Sequence, residues 1–245
     1  MKKHLTVLLV IMLMTQFGCD SPGAFDCVKR SGSIVEEEVI VGEFERIYIY
    51  DGLELNLTHG DEQKVMIRGG ENLIPEVNFE LAEKDLIISN KNSCNWVRDY
   101  EAITITVTTN QLKEIESGGF GLVKSTNILN FEELVVESKD GSGDFDLTVA
   151  VNRLVVVNNS FSNIRVSGVA NSLSVGHWYN DGRFDGTALE VNDVGISQNG
   201  VNDIYINVKE KLFGELTSRG NIVYFGDPET VEVIVSGTGK LINKQ

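Results

Sequence analysis

Histidine, proline, tryptophan and cysteine are all scarce in this chain of 245 residues, which holds three, three, two and three of them. Once a leader from Met1 to Gly18 is set aside, His59 and His177 are the remaining histidines, and neither has a cysteine or second histidine at ligand spacing. A Ser-His-Asp arrangement finds no local support around either one. No catalytic residue and no metal ligand set is therefore assigned, and no cofactor is expected. Basic residues are also short, 21 Lys and Arg against 36 Asp and Glu, for a formal net charge of −15. Such a field repels phosphate backbones and anionic head groups, which excludes nucleic acid and leaves membrane attachment to a covalent lipid. Helix patterning is nearly absent, since Pro75 interrupts the one helix-like stretch, Glu71 to Val77.

One apolar run stands out, Leu5 to Met14, preceded by Lys2 and Lys3 and followed by a short polar exit. It reads as a signal peptide over residues 1–18, and it is too short for a stable membrane span. Gly18-Cys19 at its end has the form of a lipoprotein cleavage site, with Cys19 as the acylated N-terminus. An exported chain with three cysteines needs a use for the odd one. Lipid on Cys19 leaves Cys27 and Cys94 either as a disulfide, the expected state in an oxidising compartment, or as two buried thiols. A bridge over so long a loop is worth about 4 kcal/mol on chain-entropy grounds. Residues 19–33, with Pro22, Gly23 and Gly32, read as the lipidated N-terminus and tether.

What the chain has in quantity is a repeat. Phe145, Ile164, Phe184, Ile204, Ile222 and Leu241 form a column that recurs every 18 to 20 residues, each member preceded by a Gly/Asn/Ser turn. A second column holds Val136, Val156, Val175, Ile196, Gly214 and Val233, and a third holds Leu134, Leu154, Leu173, Val194, Leu212 and Val231. Apolar residues two apart share one face of a strand, so the columns are expected to face inward. Strand pattern at this period without helices is the signature of a solenoid whose copies bury their faces only by stacking. The fold expected is all-β, a parallel β-helix with rungs of about 20 residues. An irregular β part over 34–110 precedes regular rungs over 111–245, in one body over 34–245. Gly214 is the misfit, expected at a bulge or pinched rung.

The outward positions support that register. Arg165 falls between Asp146 and Asp185, and Arg183 beside Asp203, so most neighbouring pairs avoid like charge. Asp140, Asp144, Asp146 and Asp185 lie near one edge, a pattern open to calcium-assisted polysaccharide cleavage. However, Phe145 stands where a calcium-binding turn needs an aspartate, and Arg165 neutralises its neighbours, so a charge-balanced ladder is the reading. Four aromatics, Phe120, Phe161, Trp178 and Tyr179, fall in or beside turns expected to face outward. Flat rings so placed can stack on sugars or anchor a protein partner. Trp96 is expected to pack near Cys94.

Phe44-Glu45-Arg46-Ile47 leads into a Gly52/Leu55 strand and a Gly60-Asp61 turn. Asn92-Ser93-Cys94-Asn95-Trp96-Val97-Arg98 follows, and then a string of Ser-Gly-x-Gly-like turns such as Ser236-Gly237-Thr238-Gly239. In this order the motifs resemble the putative auto-transporter adhesin head family, the GIN domain group of bacterial envelope proteins, over roughly Val39 to Leu241. The resemblance implies a β-helical fold and a place in the cell envelope, and it transfers no catalytic residue. The function expected is non-catalytic: an outer-membrane-anchored lipoprotein with a surface for binding glycan or surface protein. The alternatives are a structural or sensory envelope component and, behind it, a polysaccharide lyase or hydrolase.

Overall fold

The computed structural model describes residues 30–92, 102–178 and 181–244. Its strands in chain order are β1 (Ile34–Val39), β2 (Arg46–Ile49), β3 (Glu54–His59), β4 (Lys64–Gly70), β5 (Val77–Ala82), β6 (Asp85–Asn90), β7 (Thr104–Thr109), β8 (Glu114–Ser117) and β9 (Val123–Ser125). There follow β10 (Leu129–Lys139), β11 (Phe145–Asn159), β12 (Asn163–His177), β13 (Arg183–Gln198), β14 (Ile204–Leu216), β15 (Ile222–Phe225), β16 (Thr230–Val235) and β17 (Leu241–Asn243). Alternating aliphatic residues at inward positions make these segments strands. Pro75, which cannot sit inside a helix, leaves only a short 3-10 turn, Ile74–Glu76.

Strands β10 to β17 pair in parallel and in the expected register. Phe145 faces Ile164, Ile164 faces Phe184, Phe184 faces Ile204, Ile204 faces Ile222 and Ile222 faces Leu241. The Val136 and Leu134 columns stack likewise. The parallel solenoid has about six turns of about 20 residues, and inward alternation breaks within the long strands, as at Asn152 and Arg153 of β11, both exposed, where the chain passes from one face to another. Its interior is mainly apolar, with Phe145, Leu154, Val156, Ile164, Phe184, Ile204 and Leu212 all at most 1% exposed. Val231 is an exception at 40% exposure. It lies on β16, which among the described residues pairs only with β14, so no further described rung covers it.

The first half joins the same stack out of chain order. Along one face β6 lies beside β2, β2 beside β8 and β8 beside β10; along the next, β7 lies beside β3, β3 beside β9 and β9 beside β11. The chain thus lays down the β2–β3 rung, then β6–β7 on its outer side, and returns to place β8–β9 on the inner side. Antiparallel β4, β5 and β1 finish that end, pairing with β7, β6 and β4. The edge strand β1 carries Glu36, Glu37 and Glu38, charges that discourage pairing with another sheet.

Candidate functional site

The turns that join the first face to the second carry the exposed aromatics. Phe120 is 63% exposed, Phe161 65% and Trp178 46%. They sit where the sequence places them, whereas Tyr179 lies outside the described residues, as do Cys19, Cys27, Cys94 and Trp96. Phe120 and Phe161 border one shallow groove of about 340 Å³, floored by Gly118, Gly119, Gly141 and Ser142 and edged by Asp51 and Asp140. The floor is bare backbone by necessity, because a Cβ on Gly141 would stand 2.3 Å from the Gly119 carbonyl oxygen. The two rings belong to rungs two steps apart, a separation of roughly 10 Å at ordinary strand spacing. Trp178 lies one rung further along, its indole lying against Gly176.

A polar column inside the solenoid pins these turns. Ser117, Ser138, Asn158, His177 and Gln198 occupy successive rungs in register, all nearly or fully buried. Ser138 Oγ hydrogen-bonds Ser160 Oγ and, at 2.6 Å, Ser162 Oγ. The Asn158 amide donates to the Ser162 carbonyl at 2.9 Å, holding the turn that bears Phe161. Gln198 acts similarly, donating to the Asn202 carbonyl at 2.6 Å and accepting from the Gly200 N–H at 3.0 Å. His177 is the last residue of β12, with its ring inside the solenoid. Neither of its nitrogens has a hydrogen-bond partner among the described residues, and burial pushes its pKa down to about 4. This column lay in plain view: from Ser138 on, each member stands two residues after one of the Val136 column, hence on the same inward side.

On the second face the outward ladder is only partly as expected. Arg165 Nε lies 3.8 Å from Asp185 Oδ2 and next to Asp146 in register. Arg183 is beside Asp203 in register yet makes no ion pair among the described residues. The reason is competition: Asp203 Oδ1 accepts the backbone and side-chain N–H groups of Asn221 at 2.8 Å, and Oδ2 accepts the Tyr205 hydroxyl at 3.4 Å. Asp144 is likewise engaged, accepting from the backbone and amide of Asn163.

The first face breaks the rule of avoided like charge. Glu116 and Glu137 are neighbours in register, and with Glu114 their oxygens lie within 4.8 Å of one another. Burial, and then the neighbouring carboxylates, push Glu114 and Glu137 above the usual carboxylate range. Tyr50 donates its hydroxyl to Glu116 at 3.0 Å and is pushed up to about 12 by burial and by that glutamate. Glu116 is already engaged by Tyr50 and, at 3.9 Å, by Lys139, and nothing else there points to an ion. A larger groove, about 790 Å³, lies away from the aromatics, where Arg46, Lys113, Phe131, Val151 and Val169 meet. Its two cations are spoken for, Arg46 by Asp85 and Lys113 by Glu45, both at 2.5 Å.

Residues 43–228 match the family described as putative auto-transporter adhesin, head GIN domain. A crystal structure of a putative adhesin from Bacteroides fragilis is similar with a TM-score of 0.80 at 25% identity, covering 86% of this chain and 97% of that one. A putative adhesin from Parabacteroides distasonis shares the fold with a TM-score of 0.65 at 17% identity, covering 87% and 98%. A putative lipid binding protein from the same organism shares it with a TM-score of 0.63 at 16% identity, again over 87% and 98%. No curated protein matches the chain.

Proposed function

The chain belongs to the putative auto-transporter adhesin, head GIN domain family, and on that premise we propose that it is a non-catalytic envelope lipoprotein that binds a glycan or surface protein through its aromatic turn edge. Cys19 carries the lipid, and residues 19–33 tether the solenoid to the membrane. The observation that carries the reading is the run of exposed rings, Phe120, Phe161 and Trp178, along one column of turns, with the Phe161 turn fixed from within by buried Ser138 and Asn158. Exposed aromatics on a rigid frame give large contact area at little entropic cost, the usual composition of a binding hot spot. Stacked rungs offer an extended face rather than an enclosed chamber, which suits recognition.

The test is binding of the purified full chain to arrayed glycans and to envelope and matrix proteins. A variant with Phe120, Phe161 and Trp178 all changed to Ala should lose at least tenfold in affinity, about 1.4 kcal/mol, with its melting temperature unchanged. Equal binding by the variant, or no binding by the wild type, overturns the reading.

A further inference from the structure

We propose that the outer surface of the second face, between the rungs of Asp146 and Tyr205, is a site for a carboxylate-bearing sugar of an acidic glycan, with Arg183 as its anchor. This rests on the reading of the solenoid as a ligand-binding surface, and it assigns a site separate from the aromatic turns. The surface there is a cleft of about 370 Å³, lined by Asp146, Asn163, Arg165, Arg183, Asp185 and Tyr205, within the range of small-ligand sites.

Two columns of side chains form it. One runs Lys124, Asp146, Arg165, Asp185 and Tyr205; the other runs Asp144, Asn163, Arg183, Asp203, Asn221 and Lys240. Each column holds two cations and two anions over its length, and the cleft itself sets Arg165 and Arg183 against Asp144, Asp146 and Asp185, so this face is far less acidic than a chain of net charge −15. An anionic ligand therefore meets less repulsion here than the overall charge implies.

Of the two cations that line the cleft, Arg165 faces Asp185, and Arg183 is left over. The carboxylates around Arg183 have other duties: Asp203 holds Asn221 and Tyr205, Asp144 holds Asn163, and Asp185 takes the Thr187 N–H at 3.1 Å and faces Arg165. Arg183 keeps a planar fork of donors with no ion pair among the described residues. A carboxylate matches that fork in two parallel hydrogen bonds. Beside it, the alternating Asp146, Arg165 and Asp185 offer acceptors and donors at strand spacing, and sugar hydroxyls do both. Tyr205 adds a half-buried ring against which a pyranose can lie.

The test is calorimetric titration of the full chain with a trisaccharide ending in glucuronic acid and with its carboxyl-reduced, neutral counterpart. Wild type should bind the acidic sugar at least tenfold more tightly than the neutral one. Arg183→Met should abolish that preference at an unchanged melting temperature, and Arg183→Lys, which keeps the charge without the fork, should lose most of it. The double variant Phe120→Ala, Phe161→Ala should retain the preference, which separates this site from the turn edge. No binding, equal binding of the two sugars, a preference surviving in Arg183→Met, or its loss in the aromatic double variant overturns the proposal.

Discussion

His177 is fully buried at the end of β12 and unpaired among the described residues, so its charged form is strongly disfavoured in the folded chain. Its pKa is near 4 when folded, against 6.5 as the ordinary value. Between those values the unfolded chain binds a proton that the folded chain refuses. The stability from keeping His177 neutral is thus fully present above pH 6.5 and is lost as the pH falls toward 4. Across the whole window this amounts to roughly 3 kcal/mol. Urea unfolding at pH 7 and pH 4.5 should show wild type losing more stability than His177→Leu, by about 2 kcal/mol. Identical losses in the two proteins would mean that the ring is not held neutral.

In the strands, Gly214 is where two rungs approach closely. Its φ is +136°, and a Cβ there would lie 1.9 Å from the Ile196 carbonyl oxygen. The aliphatic column of Val136 to Val233 is broken at this point by backbone, which only glycine permits. Gly214→Ala should cost on the order of 3 kcal/mol and lower the melting temperature by roughly 10 °C, read by circular dichroism. A shift under about 2 °C would contradict the close approach.

The regular rungs were legible because inward aliphatics such as Leu154 and Ile164 repeat at both the strand period and the rung period. The order of the first rungs was not: β2–β3 and β6–β7 carry the same alternation, and nothing in that alternation says which lies outside. Phe120, Phe161 and Trp178 were legible as large apolar residues set in polar turns. Glu114, Glu116 and Glu137 were not, because the last comes from a neighbouring rung and meets the others only through the register of β8 with β10. Arg183 was placed beside Asp203 correctly, but its lack of an ion pair was not legible. Register identifies neighbours, but it does not reveal that Asn221 and Tyr205 have already taken the carboxylate of Asp203.

Taken whole, the molecule is a stack whose start is closed by antiparallel β1, β4 and β5 and whose far end leaves β16 and β17 as edges. A solenoid transmits order only between neighbouring rungs. Here the aliphatic columns and the buried polar column run along the same rungs, so the fixed turns and the exposed rings come from one register. Display outside the cell is the property on which an adhesin-like role depends. The direct measurement is labelling of intact cells with a membrane-impermeant maleimide, using Phe161→Cys and wild type as its control. Strong labelling of Phe161→Cys on unbroken cells is the result expected; labelling only after the envelope is opened would contradict it.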